Sequence, residues 1–111
     1  MNICAKSLGL FGGTFDPIHH GHISVAREAL KALNLDKIVF IPAGDPYMKT
    51  SSLTVSPAFH RMEMINRALD YENDRNFYVS DIEIARKGPS YTLDTVESFN
   101  FPKDKLVLII G

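Results

Sequence analysis

Short runs of β-branched and aliphatic residues alternate along this chain with longer stretches whose apolar residues recur every three or four positions, with glycine or proline near the joints. That alternation constrains the fold more than any other feature, because a short apolar run buried on both faces has to be covered by the amphipathic segments that flank it. It predicts an α/β domain built on a parallel sheet. Four strands are expected, at residues 6–11, 37–42, 77–84 and 106–110. Gly12-Gly13 is expected to end the first strand, and Pro42, which cannot donate to a ladder, the second. Between them, Val25, Ala26, Ala29, Leu30 and Leu33 give residues 21–33 the spacing of a crossover helix. A second helix follows Ser56-Pro57, read as N-cap and first helical residue, with Phe59, Met62, Ile65 and Leu69 as its apolar stripe. A third spans residues 91–99 and buries Leu93 and Val96. The expected order is βαβαβαβ, a Rossmann-like open parallel sheet with flanking helices, and the last run, 106–110, reads as a fully buried strand.

Charge and composition narrow the function classes. Twelve Lys+Arg against 13 Asp+Glu leave a net charge of −1, which excludes a strongly basic nucleic-acid surface. At 45% hydrophobic and 23% charged residues the chain is no disordered tail, and its 111 residues hold one small domain or part of a larger one. The single cysteine, Cys4, excludes an intrachain disulfide and suits a reducing compartment. Neither a signal-peptide core nor an apolar run of about 20 residues occurs, so the expected setting is cytoplasmic, without membrane or nucleic-acid partners. A homo-oligomer stays open. The 13 residues 43–55, containing Gly44, Pro46 and Lys49, form a longer connection than most in a compact domain, and such loops are often functional.

The segment richest in chemistry leaves the first strand and enters the first helix: Gly12-Gly13-Thr14-Phe15-Asp16-Pro17-Ile18-His19-His20-Gly21-His22. Paired glycines let a backbone approach a phosphate closely, and the N–H groups at a helix start favour an anion. Neither the dinucleotide fingerprint nor the G-x-x-x-x-G-K-[ST] loop is present. His19 and His22, three apart, share one side of the helix entry, where a phosphate could keep an imidazole protonated and make it a donor to developing charge. Three histidines in four residues also suggest a transition metal, but no second His/Cys cluster completes a tetrahedral site, so the phosphate role is favoured.

Gly12-Gly13-Thr14-Phe15-Asp16-Pro17-Ile18-His19-x-Gly21-His22 resembles the first motif of the nucleotidyltransferase superfamily marked by a His-x-Gly-His element. Two later segments make it most similar to the bacterial nicotinate mononucleotide adenylyltransferases: Ile41-Pro42-Ala43-Gly44 leading to Lys49, and Gly88-Pro89-Ser90-Tyr91-Thr92-Leu93-Asp94-Thr95. The resemblance implies transfer of adenylate from ATP to nicotinate mononucleotide, with Mg2+ accompanying the triphosphate. It implies that His19, His22 and Lys49 serve catalysis and that Gly12, Gly13, Thr14, Phe15 and Gly21 lie along the ATP phosphates. Gly111 would stand by the adenosine ribose, and Ser90, Tyr91 and Thr92 would hold the acceptor. At Lys49 the chain has Tyr47-Met48-Lys49 where the family usually has Pro-His-Lys.

Plainer readings stand beside these. Lys49 could be a solvated lysine, Ser90 a simple N-cap, and Tyr91 a packing residue, while Arg61 and Arg86 read more safely as solvated or salt-bridged than as phosphate ligands. The family continues past Gly111, so the resemblance implies that residues 1–111 are the N-terminal part of a single nucleotidyltransferase domain, truncated at the C-terminus and weak or inactive alone. A catalytically incomplete nucleotide-binding module is the alternative from another class. A related transferase with another acceptor, such as phosphopantetheine, is a third.

Overall fold

The computed structural model describes residues 6–44, 55–86 and 92–110, with the backbone alone at 92 and 93. Lys49, Ser90, Tyr91 and Gly111, and the side chain of Thr92, lie outside the described residues. Among the described residues, strands β1 (Leu8–Gly13), β2 (Lys37–Pro42), β3 (Phe77–Val79) and β4 (Leu106–Ile110) form one parallel sheet in the order β3-β2-β1-β4. Helices α1 (His20–Ala32), α2 (Ala58–Glu72), α3 (Ile82–Ala85) and α4 (Thr92–Ser98) make the connections. No helix among the described residues is long and apolar enough to cross a membrane. The expected class, a Rossmann-like open parallel sheet with flanking helices, is the one observed.

Side-chain alternation divides the core. Phe11, Ile38 and Phe40 pack with Phe15, Ile23, Ala26, Ile65 and Phe77 on the face covered by α1 and α2. Leu8, Leu10, Val39 and Ile41 pack with Phe99 on the opposite face, joined by Ile82 of α3 and Val96 of α4. Both faces of β1 and β2 are therefore buried, which is why each reads as a nearly continuous apolar run. From β1 the chain proceeds outward to β2 and β3, then returns to the other side of β1 as β4. That reversal opens a crevice at the carboxyl ends of β1 and β4, where open parallel sheets bind ligands.

Several expectations need correction. The first strand starts at Leu8 rather than residue 6 and does not stop at Phe11: both glycines stay in the ladder, opposite Ile41 and Pro42, and Gly13 is its last residue. The third strand is three residues long rather than eight. The Ser80 N–H still donates to the Phe40 carbonyl at 2.8 Å, but the Ser80 hydroxyl accepts the Ile82 N–H at 3.2 Å and turns the chain into α3. The order is accordingly βαβαβααβ. Pro57, with no side-chain cap, is the N-cap of α2, while Ser56 spends its N–H on Asp16 and its carbonyl on Arg61. The α2 stripe is rotated: Phe59 is 68% exposed, and Ala58, Arg61 and Ile65 face inward. In α1, Ile23 and Ala26 are buried while Val25 and Leu33 are exposed. β4 is not fully buried either, since Leu108 and Ile110, at 41% and 80% exposure, face the open crevice.

Candidate functional site

The carboxyl end of β1 delivers Gly12 and Gly13 to the crevice, where the Gly13 carbonyl accepts the Ala43 N–H at 2.8 Å and holds the next loop alongside. A Cβ at Gly12 would meet nothing within 4 Å, so its backbone borders open space. Phe15 follows in the left-handed region, φ 52°, and its ring is buried edge-on against Phe11, Phe40 and His22. Its side chain is thus part of the core, leaving only its backbone for a phosphate. The Asp16–Pro17 peptide is cis. The Asp16 carboxylate accepts the Ser56 N–H at 2.8 Å. Hydrogen bonding from Ser56, with a smaller contribution from the Arg61 charge, holds its pKa below the ordinary 3.8.

His19 is the N-cap of α1, and the two histidines form a capping box between them. His19 Nδ1 accepts the Gly21 N–H at 3.0 Å, and His22 Nδ1 accepts the His19 N–H, also at 3.0 Å. The rings lie 3.9 Å apart, centroid to centroid. A ring nitrogen that accepts carries no proton, so each neutral imidazole keeps its proton on Nε2, which the capping contacts leave free as a donor. Donation to a phosphate therefore does not need the protonated ring that the sequence suggested. Gly21 gains a specific reason too: a Cβ there would stand 2.8 Å from the His19 ring, so only glycine lets that ring fold back over the helix start.

Burial, and after it the neighbouring His19, lower the pKa of His22 from its ordinary 6.5. The folded chain then binds fewer protons here than the unfolded chain, so the contribution of His22 to stability is full above the ordinary value and fades as pH falls below it. Acidification from about pH 7.5 to about pH 5.5 should lower the urea midpoint. In His22→Gln that share of the acid sensitivity should vanish; an identical slope in both proteins would refute the assignment.

Arg61 is the feature near the site that sequence reasoning missed, a buried structural tie. Its side chain is completely buried, with Nε donating to the Ser56 carbonyl at 2.7 Å and NH1 to the Thr14 and Ala43 carbonyls at 2.9 and 2.8 Å. One guanidinium thus ties the glycine loop after β1, the start of the long loop and the entry to α2 together. The available signal was helical spacing, since Arg61 is three residues after Ala58 and four before Ile65 on the inward stripe. Gly44 completes the junction: a Cβ there would stand 2.6 Å from the Glu83 carbonyl oxygen, so α3 packs directly on this backbone.

A cavity of about 180 Å³ adjoins the two glycines, with Leu10, Ile41 and Leu108 among its walls and Glu83, Thr95 and Val96 above them. Thr95 donates its hydroxyl proton to Glu83 Oε2 at 2.9 Å and accepts from Arg86 NH1 at 3.1 Å. Arg86, expected as a solvated or ion-paired arginine, is half-buried and held by a hydroxyl. Among the described residues, Gly12 and Gly13 border this cavity at the end of β1, whereas His19 lines a second one at the start of α1 with Ile18, His20 and Ile23.

The cytidylyltransferase-like family matches residues 10–111. A probable nicotinate-nucleotide adenylyltransferase from Dehalococcoides mccartyi is 46% identical over 106 residues, covering 93% of this chain and 50% of that protein. One from Desulfitobacterium hafniense is 44% identical over 115 residues, covering 100% of this chain and 54% of that protein. The chain spans about half the length of the curated relatives it matches. Among solved structures, Plasmodium falciparum nicotinic acid mononucleotide adenylyltransferase complexed with NaAD superposes with a TM-score of 0.67 at 16% identity, covering 94% of this chain and 50% of that one. A putative nicotinate-nucleotide adenylyltransferase from Vibrio parahaemolyticus gives 0.63, also at 16% identity, over 93% and 71%. At such identities the likeness is one of fold, and it agrees with the doubly covered parallel sheet. With a match running from β1 to the last residue, the chain belongs to the cytidylyltransferase-like family.

Proposed function

We propose that this chain carries the phosphate-binding half of an enzyme that transfers adenylate from ATP to nicotinate mononucleotide, giving nicotinate adenine dinucleotide and pyrophosphate, a step of NAD synthesis. The observation that supports the reading is the histidine capping box, which leaves two Nε2–H donors uncommitted at the start of α1, on the segment that follows Gly12-Gly13. The names borne by the relatives point to the same reaction. In it, a phosphate oxygen of the mononucleotide attacks the α-phosphorus of ATP in line, and the bond from that phosphorus to the bridging oxygen breaks as pyrophosphate leaves. No covalent enzyme intermediate forms, so positioning and charge stabilisation supply the catalysis.

His19 and His22 donate to the phosphate oxygens as negative charge shifts toward the leaving group, and Lys49 adds a cation. The backbone of Gly12, Gly13, Thr14, Phe15 and Gly21 lines the ATP phosphates, and Gly111 stands by the adenosine ribose. Ser90, Tyr91 and Thr92 hold the acceptor. Among the described residues no group of three or more His, Cys, Asp or Glu could hold a metal ion. Mg2+ accompanies the triphosphate, held mostly by phosphate oxygens and water. The setting is the cytoplasm, which a single cysteine suits.

Pyrophosphate release by the full-length protein with ATP, Mg2+ and nicotinate mononucleotide tests the reading. Turnover is expected with this acceptor and much less with nicotinamide mononucleotide. Robust turnover with phosphopantetheine, and none with nicotinate mononucleotide, would overturn it.

A further inference from the structure

Phe15 holds a backbone conformation uncommon for a residue with a side chain, φ 52°, and such conformations persist only where the surroundings fix them. Here the surroundings are rings. The Phe15 side chain, 3% exposed, meets Phe11 edge-to-face at 5.3 Å between centroids and Phe40 at 5.8 Å, so two paired strands of the sheet set where it lies. Its tip rests against Gly13, where a Cβ would stand 3.3 Å from the ring. The same ring meets the His22 imidazole edge-to-face, at 4.9 Å and 68°, with Phe11 at 6.1 Å from that imidazole. The remaining contacts of His22 are with His19, whose ring lies 3.9 Å away and whose N–H donates to His22 Nδ1.

We propose that Phe15 is a positioning residue for adenylyl transfer, its ring holding the His22 imidazole at the angle from which Nε2–H meets the reacting phosphate. The proposal rests on the adenylyl-transfer reading above. One hydrogen bond at Nδ1 fixes a single corner of the imidazole and leaves the ring free to swing about it. Contact with Phe15 removes that swing, and because Phe15 is itself packed on Phe11 and Phe40, the sheet rather than the loop sets the direction of the donor. The wall has a chemical consequence as well. From β1 and the glycine loop, His22 is faced by the uncharged rings of Phe11 and Phe15, and among the described residues the titratable group in ring contact with it is His19. An apolar wall favours the neutral imidazole, whose Nδ1 can accept, in agreement with the lowered pKa of His22.

The test compares Phe15→Leu, which stays apolar but removes the ring, with Phe77→Leu, the same change at a phenylalanine of the same core that packs on Phe40, in the full-length protein. Phe15→Leu should lower kcat about tenfold, with KM for ATP within about twofold of the parent. In that variant the NMR signals of the His22 imidazole should titrate at a higher pH than in the parent, because part of its apolar cover is gone. Phe77→Leu should lose stability alone, with kcat within about twofold of the parent and the His22 titration in place. Should Phe15→Leu fail to fold, Phe15→Met, whose flexible side chain refills the gap without a flat wall, should move both readouts in the same direction. Either readout unchanged in the Phe15 variant that folds, or changes matched by Phe77→Leu, overturns the positioning role while the adenylyl-transfer reading stands. A parent protein that neither binds nor uses nicotinate mononucleotide overturns both.

Discussion

His22→Ala is expected to lower turnover of the full-length protein by about 10²–10³-fold, the usual loss when one placed donor to developing charge is removed. The same substitution breaks the capping box, because the His19 N–H loses its Nδ1 acceptor, 3.0 Å away. A lost cap costs about 1 kcal/mol, too little to unfold the domain but enough to see in a urea titration. His22→Gln separates the two effects. Glutamine at the third helical position can reach back to the N-cap N–H as the imidazole does, so stability should recover. Turnover should not, because the Nε2–H donor is still gone. A rate in His22→Ala equal to that of the parent would show that the imidazole takes no part in the chemistry, and recovery of rate in His22→Gln would reduce its role to capping.

The largest effect on stability should come from Arg61→Met. Methionine fills much of the same volume but leaves the Ser56, Thr14 and Ala43 carbonyls without the donors that now reach them at 2.7–2.9 Å. Each such bond to a charged group contributes about 1.5–3 kcal/mol, and part of the loss is recovered as loops relax and water enters, so a net cost of about 3–5 kcal/mol is expected. Arg61→Lys should recover only part, since a single ammonium cannot reproduce a planar fork that reaches carbonyls of Ser56, Thr14, Ala43 and Gly44 in three segments. The check is the urea midpoint with the m-value held constant. A change below about 1 kcal/mol in Arg61→Met would mean that the junction holds without its guanidinium.

Much of this was legible in the residues. Leu8, Leu10, Phe11, Ile38, Val39 and Phe40 lie in strands buried from both sides, and their apolar runs say so without tertiary knowledge. The α1 boundaries agree with the spacing to within one residue. Helix ends and the third strand were less legible for a local reason, since Ser80 and Ser56 can serve the backbone in several ways. Which way each serves depends on a distant partner, Phe40 for one and Asp16 and Arg61 for the other. In the α2 stripe Ile65 and Leu69 pack inward as expected, but Phe59 is exposed, because Ala58 and Arg61 fit helical spacing as well and apolar character alone passed them over.

By itself the sequence determined the class of fold, the parallel sheet and the place of the glycine loop between β1 and α1, since alternation and glycine spacing are local properties of the chain. Only the tertiary structure decided the rest. It made His19 and His22 cap one another and so keep Nδ1 as an acceptor, drew Arg61 inward among carbonyls from three segments, and clasped Thr95 between Glu83 and Arg86. A polar side chain takes its role from whichever donors and acceptors surround it once water is gone. Those neighbours are brought together by the fold rather than by position in the chain.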